Sequence, residues 1–270
     1  MGTVKLVLTT VFDGDDAASA EANVAYHLAA GADLVLAAVR DDRVAAALQS
    51  FGDRVQVERG GEQSELRTAL ARQAVTDHGA DWVISADAAE FWWPRGENLK
   101  EVLAPIPERY TIVQGLRRDF APGDSTHRSS PEDGKGAVLR PAFRADPAVV
   151  IDDGGMVSLP RSVPLRAWYP IEVMYFGSLA QSPDDSALVE DTRLQDALRS
   201  IRNGEASITF CVPDIVEDAR YAVECAAVGE VELPRLEQYV TELEQRIEWL
   251  EQRFWPRVLR RVARIAGRSS

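Results

Sequence analysis

The sequence predicts an α/β fold: a mixed, mainly parallel sheet flanked by helices, followed by a helical C-terminal appendage. Three observations predict it. Over the first 205 residues, short runs rich in Val, Ile and Leu alternate with helix-forming stretches, the pattern of parallel strands joined by crossover helices. Acids follow several of these runs, at Asp13, Asp41 and Asp87, and the carboxyl end of a parallel strand is where open sheets take ligands. From Pro234 the spacing changes to a 4-3 apolar repeat with polar residues between. The chain is read accordingly as a domain over 1–205, a connector with a short strand and helix over 206–233, and an amphipathic helix with a basic end over 234–268.

The first strand is expected at 4–11, a run of β-branched and leucine residues. The loop after it holds Asp13, Asp15 and Asp16. Two roles are open to these acids: contact with a ligand's base or ribose, or capping of the next helix, where an acid suits the dipole. That helix is expected at 17–30, closed by Gly31. His27 lies on it, more in keeping with packing than with catalysis. A second strand follows at 33–39, and Asp41 at its end serves either a ribose or the N-cap of a helix over 43–50. A third strand is expected at 54–58. The helix over 63–78 carries Arg67 and Arg72, each suited to a diphosphate if it faces the cleft and to solvent if it does not.

The most informative stretch is 82–94, WVISADAAEFWWP. Its apolar start reads as a buried strand. Two acids three apart follow, Asp87 and Glu90, then an aromatic cluster and Pro94. Acidic oxygens at a strand end suit a hard divalent cation, Mn or Mg, whose shell a substrate phosphate completes. Further on, a short helix is expected at 98–103, a strand at 110–116, and a loop rich in Pro, Gly and Ser at 121–136. Short strands are expected at 136–143, 149–151 and 156–159, with hairpin turn chemistry at 152–155. Helices are expected at 171–181, 191–202 and 213–227, and a strand at 206–212.

The stretch around Asp87 resembles the Asp-x-Asp-Glu-Phe block of family 2-like glycosyltransferases of the GT-A fold, a Rossmann-related architecture. EANVAYHLAAG at 21–31, GADWVI at 79–84 and DTRLQDAL at 191–198 fit the same family, and the similarity runs over residues 4 to 200. It implies transfer of a sugar from a nucleotide-diphosphate sugar to a glycan or lipid-linked cell-surface acceptor. It implies donor contacts from Asp13, Asp41, Arg67 and Asp87, a metal ligand in Asp87, and a metal-shell or acceptor-side carboxylate in Glu90, the candidate catalytic residue. Three positions depart from the family. Ala89 stands where the block has its second Asp, and Met156 and Tyr169 stand where the family tends to have His. The departures leave open a metal-free site that holds diphosphate by arginines and helix termini, and a non-catalytic relative that binds a nucleotide sugar or a protein.

Composition bounds the setting. With 270 residues, 46% hydrophobic and 27% charged, the chain can bury a substantial core. No apolar run approaches the roughly 20 residues of a membrane span. The N-terminus lacks signal-peptide features, and Cys211 and Cys225 form neither a metal spacing nor a disulfide framework. A cytoplasmic location is the expectation. The net charge of -13 argues against nucleic acid as a partner. The six arginines after Glu251 reverse that sign locally. Leu236, Val240, Leu243, Ile247, Leu250 and Phe254 form the 4-3 seam, which either packs on its own domain or pairs with a second copy, while 253–268 suits peripheral contact with anionic lipid.

Overall fold

The computed structural model describes residues 4–60, 63–120, 126–129, 137–165, 169–177, 188–205, 208, 210 and 221–228. The expected C-terminal helix, with its pairing and membrane readings, and most of the expected strand at 206–212 lie outside the described residues. Within them no helix is long and apolar enough to cross a membrane.

The first half is a regular alternation. It runs β1 (Leu6–Phe12), α1 (Ala17–Ala29), β2 (Leu34–Val39), α2 (Asp42–Leu48), β3 (Val55–Arg59), α3 (Gln63–Thr76) and β4 (Trp82–Asp87). These four strands lie in the order β3-β2-β1-β4 and are all parallel. Every residue of β1 and β2 is buried, because helices cover both faces of the sheet. Leu8, Val35 and Ile84 belong to the core that includes Val24 and Tyr26 of α1, while Val7, Leu36 and Val83 belong to the one that includes Leu70 and Ala74 of α3.

The second half adds strands of mixed direction. In chain order these elements are β5 (Glu90–Pro94), α4 (Leu99–Leu103), β6 (Ile112–Asp119), β7 (His127–Ser129), β8 (Leu139–Arg144), β9 (Val150–Ile151), β10 (Val157–Ser158), β11 (Pro164–Leu165), β12 (Ile171–Tyr175), β13 (Leu188–Glu190) and α5 (Arg193–Arg202). The sheet continues from β4 through β8, β6 and β12 to β5. β8 is antiparallel to both β4 and β6, so β6 runs in the same direction as β4. Residues 221–228 are helical, and Tyr221 and Val228 pack with Leu116 and Tyr169.

The mixed α/β architecture agrees with the sequence expectation, and two local expectations change. Residues 171–175 are a strand, not the start of a helix. Ile171, Val173 and Tyr175 favour a pleated surface, and β12 sits between β5 and β6 with partners on both sides. The aromatic cluster at 91–93 is itself strand, in β5, with Trp92 fully buried.

α1 fixes the chain that leads out of β4. Asn23 Nδ2 donates to the carbonyls of Ala88 at 2.9 Å and Glu90 at 3.0 Å. His27, fully buried, contacts the Asn23 carbonyl through Nδ1 at 2.9 Å and the Trp92 amide through Nε2 at 3.3 Å. A carbonyl needs a donor and an amide N–H needs an acceptor, so the neutral Nδ1–H tautomer satisfies both. A second proton would set Nε2–H against the amide. Burial, only partly opposed by the Asn23 carbonyl, lowers the His27 pKa to about 4.

This fixes a pH dependence. The unfolded chain gains a proton near pH 6.5 that the folded chain refuses until about pH 4, so stability falls as pH drops through that window, by roughly 3 kcal/mol in all. Denaturant titrations at several pH values should show His27→Gln less stable than the unsubstituted chain at pH 8 but losing less between pH 6.5 and 4. Parallel profiles would remove His27 as the cause.

Candidate functional site

The parallel strands bring their carboxyl ends to one edge of the sheet. From β1 the chain moves outward to β2 and β3, then returns to β4 on the other side of β1. The switch point therefore lies between β1 and β4, where Val11 pairs with Asp87. At such a point the two adjoining connections diverge and leave a crevice. Asp87 is the last residue of β4 and stands beside it.

Four charged side chains assemble there. α3 runs antiparallel to the strands it covers, so its first turns lie at the same edge and bring Arg67 to Asp87 Oδ1. β8 enters the sheet from this edge, and Arg140 reaches Asp87 Oδ2 at 3.2 Å through Nη2 and Glu90 Oε1 at 2.5 Å through Nε. Arg140 Nη1 donates to the Gly154 carbonyl at 2.6 Å. The Asp87 amide donates to Glu90 Oε2 at 3.1 Å, closing the two-residue turn between β4 and β5. Burial pushes the Glu90 carboxyl above its usual pKa, with Arg140 opposing the shift.

The four differ in access. Glu90 is 1% exposed and Arg67 4%, while the side chains of Arg140 and Asp87 are 12% and 28% exposed. Arg67 Nε is buried without a hydrogen-bond partner among the described residues, as are Thr9 Oγ1 and Ser85 Oγ. Thr9 and Ser85 are register partners across β1 and β4, and Ser85 lies two residues before Asp87, on the same face.

The hairpin of β9 and β10 closes over the arginines. Thr68 Oγ1 accepts from the Ile151 amide at 2.9 Å and donates to its carbonyl at 3.0 Å, pinning β9 to α3. Gly155 holds φ at +76°, and a Cβ there would lie 3.2 Å from Arg140 Nη1 and 3.7 Å from Arg67 Nη1. Glycine is needed for the turn and for the close approach.

The other candidates lie along the same edge. Asp13, just past β1, pairs with Arg40 at 3.1 Å. Asp41 caps α2, accepting from the Arg43 amide at 2.7 Å, and pairs with the Arg43 side chain. Asp16 caps α1. At the ends of β6 and β12, Arg117 pairs with Asp119 at 2.6 Å and stacks over the Tyr175 ring.

The donor set does not suit a divalent cation. Such an ion takes several oxygen ligands. Ala89 has none to give, and both Asp87 and Glu90 already carry guanidinium partners. Among the described residues no group of three His, Cys, Asp or Glu side chains could hold a metal. Met156 is exposed beside Gly155, and Tyr169 is buried with its carbonyl accepting from the Tyr221 hydroxyl.

A second charged group, not anticipated from the sequence, is enclosed. Glu172 of β12 is fully buried and receives Arg95 at 2.5 Å, Arg193 at 3.2 Å through both terminal nitrogens, and Arg118 at 3.4 Å. Burial alone would raise its pKa, but Arg193, Arg118 and Arg95 outweigh that and hold it well below the carboxylate range. Asp191 pairs with Arg128 at 2.9 Å and Arg193 at 2.6 Å, and Arg118 also meets Glu224 of the 221–228 helix. The readable signal was an acid inside the strand-like run IEVMY, since such a charge must be paired.

No family model matches the chain, and no curated protein matches it. Solved structures give partial similarities. A CMP:2-keto-3-deoxy-manno-octonic acid synthetase complexed with CTP is 14% identical, with 54% of this chain and 76% of that one covered and a TM-score of 0.36. A nucleotidyl transferase from Methanothermobacter thermautotroptrophicus is 17% identical, covering 53% and 72%, at 0.30. A cytidylyltransferase from Leptospira borgpetersenii serovar Hardjo-bovis is 12% identical, covering 53% of this chain and 60% of its own length, at 0.33. Similarity at this level carries no chemistry to this chain. The glycosyltransferase resemblance rests on the sequence blocks alone.

Glu172→Ala tests the enclosed group. It strands three arginines around a buried void, so thermal or denaturant unfolding should show a loss of about 3–5 kcal/mol or failure to fold. A change below about 1 kcal/mol, the range of an exposed pair, would show that the group is solvated in solution.

Proposed function

We propose that this chain is a glycosyltransferase that takes its sugar from a nucleotide-diphosphate donor bound at the carboxyl edge of the sheet, for transfer to a glycan or lipid-linked acceptor. The observation that carries the reading is the convergence of Arg67, Arg140, Asp87 and Glu90 at the β1/β4 switch point. Asp13 and Asp41, past the ends of the two neighbouring strands, would take the nucleoside by exchanging their Arg40 and Arg43 pairs for ribose hydroxyls. The diphosphate falls toward Arg67. In transfer, the acceptor hydroxyl oxygen bonds the anomeric carbon as the bond to the diphosphate oxygen breaks; the electron pair of that bond leaves with the diphosphate, and the hydroxyl proton passes to the departing diphosphate or to solvent. The leaving diphosphate gathers negative charge that a guanidinium stabilises. Glu90 is enclosed, so it acts by holding Arg140 and the Asp87 amide rather than by touching the acceptor. The acceptor would lie at the same edge near Asp119, Arg117 and Tyr175, at the ends of β6 and β12.

One observation favours a second reading, a non-catalytic binder of a nucleotide sugar. Of the acids around the turn, Asp87 and Glu90 are engaged by arginines and position 89 has no carboxylate, so no free base is at hand in the core of the site. Calorimetric titration with a panel of nucleoside diphosphates and their sugars, followed by a product assay, separates the readings. Binding with hydrolysis or transfer of the sugar is expected of the enzyme, and binding without turnover of the binder. Absence of binding across the panel would defeat both.

A further inference from the structure

We infer that Arg67 and Arg140 together are the diphosphate-binding cation of this site, that binding there needs no metal, and that Asp87 is the counter-ion the diphosphate displaces. The inference rests on the nucleotide-sugar reading for the ligand but not for the arginines. Two guanidiniums, delivered by elements as separate as α3 and β8, converge on one carboxylate. Both approach a single point, the place a Cβ on Gly155 would occupy. A guanidinium fork matches phosphate oxygens bidentately, so two forks side by side suit two linked phosphoryl groups.

The division of labour between the acids follows from their exposure. Glu90 is enclosed and bound to both Arg140 and the Asp87 amide. It is fixed and neutralises one arginine permanently. Asp87 is the most exposed of the four and bridges both arginines. If it swings aside, the site presents net positive charge toward the crevice. Arg67 Nε, buried and without a hydrogen-bond partner among the described residues, is a donor not used in this arrangement. Ala89 completes the pattern. A second acid there would add negative charge beside Asp87 and repel a diphosphate unless a cation intervened. A strand end without that acid that holds two arginines is its own cation.

The test is calorimetric titration of the full-length protein with inorganic pyrophosphate, and with UDP, CDP, GDP, ADP and the matching nucleosides, in EDTA and in manganese. Diphosphates should bind in EDTA, and manganese should leave their affinity nearly unchanged. Arg140→Gln and Arg67→Gln should each weaken diphosphates by about tenfold or more, the loss expected for charged hydrogen bonds, with nucleoside affinity unchanged. Arg140→Lys, which keeps the charge and loses the fork, should fall between. If Arg67→Gln does not fold, Arg140→Gln and the metal comparison on the unsubstituted chain decide. Nucleotide binding that requires manganese would overturn the inference and leave the nucleotide reading intact. Undiminished diphosphate affinity in Arg140→Gln would overturn it as well and reduce the group to a salt bridge. Pyrophosphate binding that follows the arginines without nucleotide preference would support the inference and defeat the nucleotide-sugar reading. No binding of any probe would overturn both.

Discussion

The carboxylate of Asp87, shared between Arg67 and Arg140, is the interaction on which the site depends. It joins α3, β4 and β8 at one point of the sheet edge. Bringing charge out of water costs several kcal/mol per ion unless partners are in place, so the three elements constrain one another. The turn after Asp87 is held from the other face by Asn23, whose amide spans the Ala88 and Glu90 carbonyls. His27 fixes the next residue pair through Trp92. The strand end is thereby held from both sides while its outermost carboxylate stays partly open to solvent.

The sheet carries two charged assemblies with opposite surroundings. Around Glu172, arginines from β6, α5 and the chain after β5 close over a carboxylate with no exposure. The same assembly reaches Glu224, which fastens the 221–228 helix over the strands of the second half. It is built to be permanent. The assembly at Asp87 uses the same residue types with one carboxylate partly exposed, and that difference in access separates a fastening from a site.

The first half of the fold was legible because its strands are buried on both faces and read as unbroken apolar runs. The stretch around Asp87 and Glu90 was legible for the same reason, since two acids after such a run mark a strand end. The sequence leaves Arg67 open to the cleft or to solvent, and only the antiparallel course of α3 brings it to the edge. Arg140 is not legible in the sequence. It lies 53 residues beyond Asp87 on a strand that enters between β4 and β6, and nothing in local periodicity reveals strand order. The strand at 171–175 is not legible in a sequence that reads as helix over 171–181, because a central strand there has to bury Glu172. The partners that make a buried glutamate tolerable come from distant segments.

Metal ligand and counter-ion are opposite roles for Asp87, and one substitution separates them. The most direct measurement is the affinity of Asp87→Asn for pyrophosphate in EDTA, relative to the unsubstituted chain. A counter-ion competes with the diphosphate for the arginines, so losing its charge should leave affinity equal or tighter, by up to about tenfold. A ligand or direct contact supports the diphosphate, and a loss of about tenfold or more on the same substitution, with the fold intact, would contradict the arginine-centred site.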